Sequence, residues 1–425
     1  MDNISIVLFN PVLVRLSKIS IALGILLSSL ALGLFITQSD GATTPGGTYA
    51  TFSGPTGANP SWTSSVAIPG ANGFPAASLA TNSLTPSVPS GSSTWLSAST
   101  PFGGQFASSQ NQPYFVFSPT TGQAPSTTTI TFATPTPTAG WGFALGDVDA
   151  EKIQISASDV NGAAVAISAL GFQSVFNFCD IATTKPSACS GVTAPFDTPT
   201  WNTSSGWLTG NVNDSVGASA WFMPSAPIKT VVLRDVNQSG VPSAQLWISS
   251  NLRTVAGNIS EPPLPVSATP ATTTTTTTEP PTTTSTSTTT TTTTEPTTTT
   301  VPMTVPEGNV PAVDVPVVIT DLSGTVVDTT TTYANGNFAM TTIAPGKYLL
   351  SEELPAGYSA PTGIYPLPID VTTGDVTGIS FTNVPKPTLA FSGANIALLG
   401  GLGVMLSVAG GLVLRLQQRR HQIQD

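Results

Sequence analysis

The stretch WGFALGDVDAEKIQISASDVNG, residues 141–162, decides the fold class. Trp141–Leu145 is an apolar run of strand length. In Lys152–Ala157, Ile153 and Ile155 alternate with Gln154 and Ser156, the period-two pattern of a strand with one buried face. Gly146-Asp147-Val148-Asp149 precedes that strand and Asp159-Val160-Asn161-Gly162 follows it, both rich in turn-forming residues.

Working outward, similar short runs recur at Thr127–Phe132, Ala163–Ile167, Thr230–Asp235 and Ala244–Ser249. No window of helical length keeps a 3.6-residue apolar period. Charged residues make up only 8% of the chain, while glycine and proline number 38 each, so turns punctuate short strands throughout. The expected fold is all-β, with residues 42–258 forming a large β-sandwich head of jelly-roll-like type.

The chemistry available to this head is restricted. The only histidine is His421 near the C-terminus, which excludes a His-based triad or a His–metal site in the head. No Gly-x-Ser-x-Gly elbow and no phosphate-binding loop occurs. The formal net charge of −10 leaves no electrostatic footprint for nucleic acid. No catalytic residue is assigned and the chain is expected not to be an enzyme.

Two sets of side chains stand as candidates. Asp147, Asp149 and Glu151 lie at alternate positions and would share one face of an extended chain, a donor set for Ca²⁺ with Asp159 or Asp235 nearby. The alternatives are a solvated acidic turn and paired carboxylates for glycoside hydrolysis. No other cofactor is expected. Seven tryptophans occur, all in the head. Trp221 and Trp247 fall in strand-like runs and read as core. Trp201 and Trp207 sit among polar turn residues and are the better sugar-stacking candidates. Cys179 and Cys189 are ten positions apart in a region placed outside the cell, where a disulfide is the natural state.

The ends of the chain address it to a membrane. Arg15 and Lys18 precede the uncharged run Ile19–Thr37, and Ser39-Asp40-Gly41 offers small residues for cleavage, so residues 1–41 read as a signal peptide, with an uncleaved anchor as the alternative. Ala394–Leu416 is long and apolar enough to cross a ~30 Å hydrocarbon core as a helix. Arg419, Arg420 and His421 follow in the tail, residues 417–425, and mark the cytoplasmic side.

Between head and span, Thr269–Thr304 is nearly all threonine, broken by Glu-Pro pairs. Nothing in it can form a core, and in polyproline II geometry ~3.1 Å per residue would carry it on the order of 100 Å. Residues 259–304 are therefore expected to be a stalk. Val315–Thr320, Thr325–Asp328, Phe338–Thr342, Lys347–Glu352 and Val376–Thr382 then read as strands of a compact unit, residues 305–386, with Asn335-Gly336 as a hairpin turn.

Two resemblances rest on these residues. Leu389-Ala390-Phe391-Ser392-Gly393, within 387–393, followed by the span and basic tail, resembles the sortase sorting signal of Gram-positive surface proteins, in an actinobacterial variant with alanine at the second position; serine stands here where the family has threonine. The resemblance implies cleavage between Ser392 and Gly393 and linkage to the cell wall. The Asp321–Gly324 turn, Tyr333–Phe338, Ala344–Tyr348, Glu352 and Pro355–Tyr358 resemble the prealbumin-like B-type repeats of Gram-positive adhesins. Many such repeats carry a Lys–Asn isopeptide bond assisted by a glutamate. Glu352 and Asn383 sit near the matching places, but no lysine does, so no crosslink is expected. Together these imply a cell-surface structural or adhesive protein, with sortase and the cell wall or membrane as partners and surface glycans or host and matrix proteins as possible ligands. The alternative is a surface carbohydrate-binding module or glycosidase-like protein.

Overall fold

A single residue, Leu252, separates two strands that belong to two different β-sandwiches. The computed structural model describes residues 46–120, 124–181, 184–264 and 308–387. The first sandwich is built from β1 (Gly47–Tyr49), β2 (Thr51–Phe52), β3 (Thr56–Ala58), β4 (Ser61–Ala67) and β5 (Ala77–Thr81). A short helix, α1 (Pro101–Phe106), comes next, and then β6 (Phe115–Phe117), β7 (Ser126–Phe132), β8 (Trp141–Gly146), β9 (Glu151–Ser158) and β10 (Phe172–Asn177). Last come β11 (Thr200–Asn202), β12 (Trp207–Thr209), β13 (Ala218–Phe222), β14 (Thr230–Asn237) and β15 (Ala244–Asn251).

These strands form a six-stranded sheet, β1-β15-β8-β13-β10 with β6 also on β15, and a nine-stranded sheet, β11-β12-β9-β14-β7-β5-β4-β2 with β3 on β4. The main core lies between them. Ile130, Phe132, Ile153, Ile155, Val231 and Leu233 project from the larger sheet against Phe143, Leu145, Phe222, Leu246 and Ile248 of the smaller. Each such side chain contributes roughly 1.5–3 kcal/mol by leaving water. In β7 and β9 buried residues alternate with more exposed ones, as expected where one sheet face meets solvent. Every residue of β8, β13 and β15 is buried, because the smaller sheet is covered on both faces. Its outer face carries Ala144, Trp221 and Trp247, packed under Phe102 and Phe106 of α1 and under Phe178, Cys179 and Cys189. Thr100 caps α1, its hydroxyl accepting from the Gly103 N–H at 3.1 Å.

The expected strand Ala163–Ile167 is corrected. Asp159 Oδ1 accepts from the N–H groups of Asn161 and Ala163 and reverses the chain, after which only Ala164 bridges Ser158 and a 3₁₀ turn follows at Ile167–Leu170. β9 is already paired by β14 on one edge and by β12 on the other, which leaves no full edge for a further strand.

The second sandwich comprises β16 (Arg253–Glu261), β17 (Val310–Pro311), β18 (Pro316–Thr320), β19 (Val326–Thr331), β20 (Asn337–Ile343), β21 (Lys347–Glu352), β22 (Tyr358–Ser359), β23 (Leu367–Asp370) and β24 (Val376–Thr382). Its sheets are β17-β16-β20 with β24 also on β16, and β19-β18-β21-β23. β16 is central: it pairs antiparallel with β20 and β17 and parallel with β24, and it places Val255 and Ile259 in the core beside Val317, Phe338, Leu350 and Phe381.

This overturns two boundaries expected from sequence. Residues 253–258 are not part of the head and residues 259–261 are not part of a stalk; they are one strand of the second sandwich. The threonine-rich tract lies outside the described residues, but the strands that flank it, β16 and β17, are hydrogen-bonded neighbours. The described residues on either side of it, up to 264 and from 308, therefore belong to one sandwich. The Asn335-Gly336 turn also differs from expectation. Gly336 has φ +76, the Gly336 N–H donates to Tyr333 O, and the turn carries the chain from β19 in one sheet to β20 in the other instead of closing a hairpin.

The two sandwiches abut. The Asn72 N–H donates to Thr342 O and the Ala344 N–H donates to Asn72 O, both at 2.7 Å. Ala344 is buried in the head's core. Residues 1–41, the motif 389–393 and the span 394–416 lie outside the described residues. Among the described residues no helix is long and apolar enough to cross a membrane.

Candidate functional site

The acidic residues singled out in the sequence do not act as one triad. The chain bends after β8, with Asp147 at φ +59, so Asp147 and Asp149 are not on the strand that begins at Glu151. Asp147 accepts from the Gly217 N–H at 3.0 Å and from Gln245 Nε2 at 3.2 Å. Asp149 accepts from the Ala150 N–H at 2.6 Å and from the N–H and hydroxyl of Ser215 at 3.2 and 3.1 Å. These two carboxylates pin the loops at one end of the head. Asp159 caps its own turn. Among the described residues no three His, Cys, Asp or Glu side chains converge to hold a metal ion, which corrects the expected calcium triad.

Glu151 differs from its two neighbours. It is fully buried at the start of β9; its carboxylate lies beside the backbone of Asp149, and neither oxygen makes a hydrogen bond of standard geometry. Asp235 on β14 is likewise buried, and neither of its oxygens makes such a bond. Burial, then proximity to Asp235, Asp149 and Asp147, pushes the Glu151 carboxyl well above the usual range, and burial does the same for Asp235. Burial first, and then neighbouring acids, raises Asp147 to about 6 and Asp149 to about 7. All four are easier to protonate folded than unfolded. Their contribution therefore favours folding below the ordinary carboxylate range near pH 4 and weakens as pH rises, that of Asp147 and Asp149 being lost through about 6–7. The sequence named Asp235 only as an accessory. The sharper signal was its phase in β14, where Val231, Leu233 and Asp235 all take the inward positions.

The tryptophans divide differently from the expected pattern. Trp221 and Trp247 are buried, as read from sequence. Trp201 is not a free platform: it stacks on Phe172 at 5.7 Å, meets Phe222 edge-on at 5.0 Å, and packs against the main core. Trp207 lies on the outer side of the larger sheet, where Lys152 Nζ at 5.1 Å and the Arg234 guanidinium at 5.8 Å lie over its ring. Two cations thus occupy the ring that a sugar would need.

Cys179 and Cys189 form the expected disulfide. A cavity of about 290 Å³ opens beside it, lined by Thr100, Phe176, Asn177, Asp180, Ile181 and Phe196.

In the second sandwich, Asn383 Nδ2 donates to Glu352 Oε2 at 3.2 Å, and both residues are buried. Burial pushes Glu352 up to about 7. The acid and the amide of the crosslinking arrangement are thus adjacent. The first strand of this sandwich is β16, which contains Arg253 but no lysine, so that strand supplies no primary amine to attack the amide.

No family model matches the chain, and no curated protein matches it. Solved structures similar to it include the major pilin subunit of Bacillus cereus, at 9% identity over 63% of this chain and 66% of that one, with a TM-score of 0.19. The T6 backbone pilin of serotype M6 Streptococcus pyogenes matches at 12% identity over 74% of this chain and 62% of that one, with a TM-score of 0.17. The minor pilin GBS52 of Streptococcus agalactiae matches at 12% identity over 60% of this chain and 87% of that one, with a TM-score of 0.19. The chain spans just under two thirds of the first two. These neighbours are subunits of Gram-positive pili, and scores of this size establish no common fold with them.

Proposed function

We propose that the chain is a cell-surface structural or adhesive protein that displays two abutting β-sandwiches outside the cell and is held by its C-terminal end. The observation that carries this reading is the order Leu389–Gly393, apolar Ala394–Leu416 and basic Arg419-Arg420, which would hold the motif at the outer membrane face within reach of a membrane-bound transpeptidase. Two further features fit. The disulfide suits an oxidising compartment. The direct hydrogen bonding of the two sandwiches through Asn72 suits a load-bearing surface protein. On this reading sortase and the cell wall are the first partners. The carbohydrate-binding alternative loses Trp201 to the core, and Trp207 to two cations.

The test is to treat intact cells with a peptidoglycan hydrolase and follow the protein. Release into the soluble fraction with a mass that ends at Ser392 is the expected result. Retention in the membrane with Arg420 still present would replace wall linkage with simple membrane anchoring, and a cytoplasmic protein would overturn the surface reading altogether.

A further inference from the structure

Three neighbouring strands of the head's larger sheet bring oxygen-bearing side chains to one inward-facing spot. Asp235 on β14 lies opposite Ser126 on β7 and opposite Ile153 on β9. Glu151 is two residues from Ile153, so it shares that face and stands diagonal to Asp235, within reach of its carboxylate. Asn237 lies directly opposite Glu151. Glu151, Asp235 and Ser126 are each fully buried. Both oxygens of Glu151, both of Asp235, the Ser126 hydroxyl and Asn237 Oδ1 all lack a hydrogen bond of standard geometry.

The adjoining hydroxyls are not in this condition: Thr81 and Thr128 bond each other at 2.8 Å, and the Ser83 hydroxyl accepts from the Ser118 N–H at 2.7 Å. Unpartnered buried atoms occur elsewhere too, among them Trp62 Nε1, Trp247 Nε1 and Glu261 Oε2, but on these four residues six gather and all of them are oxygens. The ion pair found among the described residues, Lys347–Asp370, belongs to the second sandwich. Burying two carboxylates without a counter-charge is among the costliest arrangements a core can hold. A donor set made only of oxygens, two of them carboxylates, is what a hard divalent cation takes, and calcium tolerates irregular oxygen cages better than magnesium does.

We propose that Glu151 and Asp235, with Ser126 and Asn237 beside them, form a buried calcium-binding site inside the head. The site replaces the Asp147–Asp149–Glu151 triad suggested by sequence. It stands independently of the surface-anchoring reading. Asp147 and Asp149 position the loop that leads into Glu151 and are not ligands. The ion would tie β9 to β14 and would cancel the repulsion within the acidic group.

The experiment uses the full chain, treated with EDTA and then titrated with calcium chloride, with magnesium chloride as the comparison. Thermal unfolding and direct metal analysis are the readouts at neutral pH. Wild type should retain calcium after gel filtration and show a melting temperature that climbs with calcium concentration. Glu151→Gln and Asp235→Asn should each abolish that response, while Glu353→Gln, at an exposed carboxylate of the second sandwich, should keep it. In EDTA both site variants should be at least as stable as wild type, because each replaces a poorly satisfied buried carboxyl with a neutral amide of the same shape. Wild type with neither bound calcium nor a calcium-dependent shift would overturn the proposal and leave a protonated acid pair in its place. A shift that survives in both site variants would also overturn it, by placing the ion elsewhere. Should one variant fail to fold, the other variant and the metal content of wild type still decide.

Discussion

Replacing Ile259 with aspartate is expected to unfold the second sandwich. Ile259 is fully buried in that core, on the central strand β16, beside Phe338, Leu350 and Phe381. Truncating such a side chain to alanine alone costs about 2–5 kcal/mol. An unpaired carboxylate at the same place adds a desolvation cost that the strand's neighbours cannot offset. The total approaches the whole stability of a small domain, roughly 5–15 kcal/mol. The comparison is Val313→Asp, at a position 49% exposed in the same sandwich, which should change little. Chemical denaturation of the two variants separates the outcomes. Equal stability of Ile259→Asp and wild type would return Ile259 to a solvated stalk.

The second large effect is expected from the disulfide. Removing it by the double substitution Cys179→Ala and Cys189→Ala should destabilise the head by about 2–4 kcal/mol, through the larger conformational freedom of the unfolded chain. The closed loop is short, ten residues apart in sequence, which keeps the entropic part toward the lower end of that range. Both sulfurs are also buried, and they cover Phe178 and Trp247 on the outer face of the six-stranded sheet, so the alanines lose packing as well. Urea unfolding with and without a reductant measures it. A reduced wild type that melts with the oxidised protein would mean that the loop 179–189 contributes nothing to that outer core.

Much of the architecture was legible because alternation survives in the sequence. Lys347–Glu352 and Val376–Thr382 were read with the bounds the structure gives them, and Thr230–Asp235 and Ala244–Ser249 fell two residues short at their ends. Three kinds of residue resisted reading. The first strands of the head, β1–β5, are short and rich in threonine, serine and glycine, so neither apolar phase nor propensity marks them. β16 does alternate, with Val255 and Ile259 in phase, but it is fused to β15 through Leu252 and runs up to the threonine tract, so the change of composition there does not coincide with the change of domain. Its partners β20 and β24 lie some eighty or more residues away, and pairing over such distances leaves no local trace.

The candidate site was half legible for a related reason. Spacing put Asp147, Asp149 and Glu151 on one face only if the chain stayed extended, and the bend at Asp147 broke that condition. What carries the site is a carboxylate in the apolar phase of each of two paired strands, Glu151 in β9 and Asp235 in β14, and the pairing itself is a tertiary fact. Trp201 was misjudged because its sequence neighbours are polar, while its contacts, Phe172 and Phe222, come from β10 and β13.

The division of the chain into two sandwiches depends most heavily on β16 belonging to the second, and one measurement tests that directly. A protease site placed within residues 265–307 allows the intact folded chain to be cut once. The N-terminal piece then carries the head with β16, and the C-terminal piece carries β17 to β24. The structure predicts two bands on a denaturing gel but one species on native size exclusion, held by the ladders of β16 with β20 and β24, and separation of the pieces when Ile259→Asp is introduced. Two independent native species from the cut wild type, a free head and a free folded repeat, would contradict it and restore the threonine tract as a stalk between them.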